Sequence, residues 1–234
     1  MRPRQTILLG LLLLVPVLAF LSLYGFGRNH YALPTFLPER VETARPAGAA
    51  GAAAGRPDTL YHRVRSFRVR RAGGVALSSA ELEQGLYVAQ FYAPGEAGLP
   101  AARTMARLQE RFRPDPRVRL VSLVSAATDA TTTDAELQQL SEQYGTISGK
   151  WFFAAAPLDT LQRLARAEFG QTALNPARYP FRPDTEPTNL LPGRLLLVDR
   201  AGHVRGYYEV ADKYEVERLI TEINVLLYTY DHRD

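Results

Sequence analysis

Cysteine is absent from all 234 residues. That excludes disulfides, thiol–disulfide exchange, iron–sulfur ligation and any cysteine-based metal site within this chain, and with them a lipid anchor attached through cysteine. Lysine is scarce as well: Lys150 and Lys213 are the only two among 28 basic residues, and the rest are arginine. The net charge of +4 is too small for a nucleic-acid footprint. Ser78, Ser79 and Ser125 lack a Gly-x-Ser-x-Gly setting, and no glycine-rich nucleotide loop follows an expected strand. The four histidines, His30, His62, His203 and His232, include no i, i+4 pair and read as exposed turn or loop residues. Hydrolytic, nucleotide and helix-borne metal chemistry therefore have no motif here, and no cofactor is expected.

What is present begins with hydrocarbon. From Thr6 to Phe26 the chain carries no charge and includes the run Leu8-Leu9-Gly10-Leu11-Leu12-Leu13-Leu14-Val15. A helix needs about 20 such residues to cross a bilayer core, and Pro16 is tolerated in membrane helices. A secretory signal is the competing reading, but its apolar region runs to only about 7–15 residues, and Gly25-Phe26-Gly27 makes a poor cleavage site. Arg2 and Arg4 precede the span and Arg28 follows it. The positive-inside rule then puts the amino terminus in the cytoplasm and the remainder on the exported side of the membrane.

Three regions follow: an anchor over 1–27, a polar stalk and Ala/Gly/Pro tether over 28–57, and a folded domain over 58–231. The tether, ARPAGAAGAAAGRP at 44–57, is low-complexity and flexible in composition. Within the domain, Phe67–Val69 and Val75–Leu77 flank Ala72-Gly73-Gly74 as a hairpin. LYVAQFY at 86–92, Val118–Val124 and Trp151–Phe153 read as buried strands. Ala101, Met105, Leu108 and Phe112 fall at helical spacing behind Pro100, so Met105 reads as core. Thr133 and Glu136 suggest a capping box for a helix through Leu137, Leu140 and Tyr144, which makes Asp129, Asp134 and Glu136 capping and dipole partners. Leu158, Leu161 and Leu164 suggest another helix. Gln171–Gly193 is irregular, Leu195–Val198 and His203–Tyr208 form a second hairpin, and Val216, Leu219, Ile220, Ile223 and Leu226 stripe a final helix. The order implies α/β with a mixed central sheet.

Placed in that order, DTLYH at 58–62, GLYVAQFYAP at 85–94, RLQERFRPDPRVRLVSL at 107–123, WFFAAAPLDTLQRLA at 151–165 and LLLVDRAGHVRGYY at 195–208 resemble the Sco/SenC family. The resemblance spans residues 58–230. It implies a thioredoxin-like fold with a mixed central sheet behind one amino-terminal transmembrane helix, and a place in assembling the copper centre of cytochrome c oxidase. That family holds copper through Cys-x-x-x-Cys and a distant histidine, soft-to-borderline donors that suit the metal. Counting from the shared Pro100, the cysteine positions are occupied here by Gly95 and Leu99. Counting back from Asp199 places the histidine position at Leu191.

The resemblance thus points to a non-catalytic factor in oxidase assembly or copper homeostasis, acting by protein contacts with respiratory oxidase assembly proteins. A copper carrier with other ligands, or with ligands supplied by a partner, is an alternative. A thioredoxin-like enzyme of unknown chemistry is another. One further surface invites a partner: in HRVRSFRVRR at 62–71 arginine alternates with apolar residues, so Arg68, Arg70 and Arg71 are candidates for contact with anionic lipid or an acidic protein.

Overall fold

The computed structural model describes residues 14–18, 33–42, 58–126, 130–171 and 192–232. Two compact units divide the chain, Met1–Ala32 and Leu33–Asp234. In the first, residues 14–18 are helical. Among the described residues no helix is long and apolar enough to cross a membrane; most of the expected span lies outside them. So do His30, the 44–57 tether, Asp129, Leu191 and nearly all of the irregular stretch.

In the second unit the elements are, in chain order, β1 (Pro38–Glu42), β2 (Asp58–Tyr61), β3 (Arg68–Arg71), β4 (Ala76–Ser78), α1 (Ser79–Leu82), β5 (Leu86–Phe91), α2 (Leu99–Arg111), β6 (Val118–Ser125), α3 (Ala130–Gln143), β7 (Trp151–Ala156), α4 (Leu158–Arg163, continued by a π-helical turn, Leu164–Glu168), β8 (Arg194–Val198), β9 (Val204–Glu209) and α5 (Lys213–His232). Strands β1 and β2 form a separate antiparallel pair, and the others form one sheet in the order β4-β3-β7-β6-β5-β8-β9. The run β5, β6, β7 is parallel, whereas β8 and β9 add antiparallel on the far side of β5.

The central strands are apolar on both faces because both faces are covered. Along β5, Tyr87, Ala89 and Phe91 enter one core layer while Leu86 and Val88 enter the other. Parallel pairing demands crossover helices, and α2 and α3 step along the sheet in the same direction, so they cover the same face. Met105 and Leu108 of α2 and Leu137 of α3 share that layer with Leu219, Ile223 and Leu226 of α5. The opposite layer holds Leu161, Leu164 and Ala165 from α4 and its π turn.

The expected stalk needs correcting. Residues 33–42 belong to the folded unit rather than to a solvated stalk ahead of position 58. Leu37 is fully buried, and its side chain fills the space that a Cβ on Gly170 would occupy, 2.3 Å from Leu37 Cδ2. Phe36 packs edge-on against Tyr207 with ring centroids 5.4 Å apart. Arg205 donates to the Leu33 carbonyl and to Thr35 Oγ1, and Phe36 N–H donates to the Val204 carbonyl. Pro34 and Pro38 gave the segment a linker-like look, while Leu33, Phe36 and Leu37 supplied the burial that fixes it.

The helix at 130–143 also starts earlier than expected. Thr133 and Glu136 lie within α3, and Thr133 is buried, so they form no capping box at its start. The arginines of β3 are largely engaged. Arg70 makes a two-pronged pair with Asp134 at 3.0 and 2.8 Å, and that bond raises its pKa. Arg71 meets Glu81 at 3.3 Å and lies over the Phe152 ring. Of the three expected contact residues, Arg68 alone stays exposed without a partner among the described residues. The continuous cationic edge is therefore reduced to one residue on β3.

Candidate functional site

The loop leaving β5 decides where chemistry is available. Tyr92 follows the strand, and the chain turns through Pro94 and Gly95 into α2. Gly95 has a φ of +75°, a left-handed conformation that glycine adopts at no steric cost. Gly98 is required for a different reason: a Cβ there would sit 1.7 Å from the Ala93 carbonyl oxygen. The loop is therefore drawn tightly under the start of α2, with Gly98 N–H donating to the Gly95 carbonyl at 3.3 Å. Pro100 sits in the first helical turn, where its missing N–H costs no intrahelical bond.

This loop and the ends of β5 and β6 form one wall of a cleft of about 700 Å³. Crevices at the carboxyl ends of parallel strands are the usual ligand sites of open α/β sheets. The expected ligand positions Gly95 and Leu99 both line it. The structure thus brings those two together, and Leu191 lies outside the described residues. Neither fits copper, since Gly95 has no side chain and Leu99 offers only hydrocarbon. Among the described residues no group of three or more histidine, aspartate or glutamate side chains is placed to hold a metal ion.

A second wall is formed by α3, where Glu136, Gln139, Leu140 and Gln143 line the cleft, and by Tyr144 just after it. Their spacing of three and four puts them on one helical face, the one signal by which the sequence shows this wall. Beneath the cleft lies an aromatic cluster. Tyr92 meets Tyr144 and Phe153 edge-on at 6.3 and 5.7 Å, and Tyr144 stacks on Phe153 at 5.9 Å. Trp151 packs against Tyr144 and Phe153 at 6.0 and 5.2 Å, and its indole N–H donates to Ser122 Oγ at 2.9 Å. The Tyr92 phenol is pushed up in pKa, first by burial and then by the Tyr144 hydroxyl 3.5 Å away. It stays neutral at physiological pH and is no general base.

The remaining sequence candidates lie elsewhere. His203 belongs to the β8–β9 turn, where Asp199 Oδ1 accepts from the backbone N–H groups of Ala201 and His203. Met105 is core. His62 is corrected: it is buried rather than exposed. Its Nδ1 lies 2.6 Å from Glu39, and its Nε2 lies 3.5 Å from Glu168. Glu168 is fixed in turn by Arg65, which donates to it through its backbone N–H and Nε at 2.8 and 2.9 Å. This group ties residues 33–42 to the π turn after α4; it does not reach the cleft.

No protein-family model matches the sequence, and no curated protein is detectably similar to it. Solved structures do match. BsSco, a member of the Sco family of cytochrome c oxidase assembly proteins, aligns at 16% identity over 70% of this chain and 92% of its own, with a TM-score of 0.52. A SCO1/SenC family lipoprotein from Bacillus anthracis str. Ames aligns at 16% identity over 71% and 95%, with a TM-score of 0.56. An Aquifex aeolicus protein described as a putative electron transfer protein aligns at 12% identity over 70% and 96%, with a TM-score of 0.50. The chain has a Sco-like thioredoxin fold.

Proposed function

We propose that this chain is a Sco/SenC-like protein without the family's copper site, serving in cytochrome c oxidase assembly or copper homeostasis by protein contacts. In this reading an amino-terminal span holds it in the bacterial cytoplasmic membrane, with residues 28–234 on the exported side. The observation that supports it is the β5–α2 loop: Gly95 and Leu99, the positions that the resemblance assigns to the copper-binding cysteines, line an open cleft and carry no side-chain donor atom. A chain with no cysteine performs neither thiol exchange nor thiolate transfer of copper. What the site retains is shape, an aromatic floor and two carboxylates, which suit recognition of another chain.

The test uses the full chain in its own membrane. A photo-crosslinking amino acid at Ala97, exposed on the loop, should yield adducts identified by mass spectrometry as oxidase subunits or assembly proteins. The same protein, purified in detergent, should carry no stoichiometric copper. Tight one-to-one copper in the unmodified chain, or adducts with no respiratory component among them, would overturn the reading.

A further inference from the structure

Among the described residues, acidic side chains mostly have an arginine partner. Glu81, Glu83, Asp134, Glu168, Asp199 and Glu209 each pair with one. Glu96 and Glu136 do not. They come from different segments lining the cleft, the β5–α2 loop and α3, both are exposed, and neither has a hydrogen-bond or ion-pair partner among the described residues. No arginine, lysine or histidine is among the described residues that line the cleft, although the whole chain carries a net charge of +4. The same cleft is lined by the half-buried rings of Tyr92 and Tyr144 and the aliphatic side chains of Leu99 and Leu140.

Each component asks for the same occupant. A guanidinium or ammonium group gains from the face of a tyrosine within about 6 Å and from a carboxylate beside it, while Leu99 and Leu140 favour hydrocarbon. Anionic ligands are disfavoured by Glu96 and Glu136. The volume of about 700 Å³ falls in the range that encloses a few side chains. We infer that the cleft docks an extended peptide segment of a partner protein, one carrying arginine or lysine between aliphatic or aromatic residues. The inference rests on the contact reading above and adds the chemistry of the partner.

Trp151, the only tryptophan in the chain, lies beneath the cleft against Tyr144, so its emission reports occupancy. The probes are three acetylated, amidated hexapeptides alternating leucine with arginine, with glutamine or with glutamate, titrated into the full chain in non-ionic detergent. The arginine peptide should shift Trp151 emission saturably, more weakly as salt is raised, and the glutamate peptide should not. The double variant Glu96→Gln/Glu136→Gln, altered only at exposed positions, should keep its fold and weaken arginine-peptide binding about tenfold, the loss of two exposed charge contacts. No saturable shift, equal binding of the glutamine peptide, or unchanged binding by the double variant would each overturn the inference. Adducts at Ala97 with oxidase components alongside a failed titration would leave the contact reading standing and remove the cationic specificity. Peptide binding without such adducts would do the reverse.

Discussion

Leu37 and Gly170 offer a quantitative check on whether residues 33–42 are part of the folded unit. Leu37 is fully buried, and replacing a buried leucine with alanine costs about 2–5 kcal/mol. Gly170 has a φ of +56°, and a Cβ built on it meets Leu37 Cδ2 at 2.3 Å and the Tyr207 hydroxyl at 3.0 Å. Gly170→Ala therefore carries two penalties: about 1–2 kcal/mol for a side chain in left-handed backbone, and about 1–3 kcal/mol for overpacking. In a Leu37→Ala background the nearer obstruction is gone, so most of the overpacking penalty vanishes and the backbone penalty remains. The two substitutions should be non-additive: the double variant should be more stable than the sum of the single losses predicts, by about 1–3 kcal/mol. Urea unfolding of the full chain in detergent, followed by Trp151 emission, measures all four corners of the cycle. A loss below about 1 kcal/mol for Leu37→Ala together with strict additivity would show that the Leu33–Glu42 segment is not packed as described.

Two further predictions concern the cleft loop and the opposite pole of the sheet. The variant Gly95→Cys/Leu99→Cys/Leu191→His should bind Cu(I) where the unmodified chain does not; the space around a Gly95 Cβ is open, and its φ of +75° sets a stability cost of about 1–2 kcal/mol. A folded triple variant that ignores Cu(I) in a competition assay would place the family's ligand positions elsewhere. Lys150, buried and donating to the Phe112 and Asp115 carbonyls, has its pKa lowered by burial from 10.5 to about 8. Between those values the unfolded chain keeps a proton that the folded chain has released, so stability should rise with pH by at most about 3 kcal/mol across that window. Above about pH 10 the buried phenols of Tyr87, Tyr207 and Tyr208, all raised by burial, should reverse the trend. Unfolding curves at closely spaced pH test this, and an equal rise in Lys150→Met would refute the assignment to Lys150.

Local pattern made much of the fold legible in the sequence. The doubly apolar runs of β5, β6, β7 and β8 announce central strands because both faces of the sheet are covered, and the stripes on α2 and α5 match the single face each buries. The start of α2 was readable from Pro100, whereas the tight turn before it rests on Gly95 at positive φ and Gly98 pressed against the Ala93 carbonyl, contacts that the structure shows; the composition alone determined that no thiol chemistry takes place there. Tertiary structure decided the rest, because the partners are far apart in the chain and periodicity reports only near neighbours. His62 looks like a loop histidine until Glu39 and Glu168 close on it. Arg70 looks like free positive charge until α3 brings Asp134 within 2.8 Å. Leu33 to Leu37 looks like a stalk until β9 supplies Arg205 and Tyr207. The cleft has no sequence motif of its own: it exists because two crossovers lay α3 beside the β5–α2 loop, so that Glu136 and Leu140 line one space together with Glu96 and Leu99, which neither segment encloses alone.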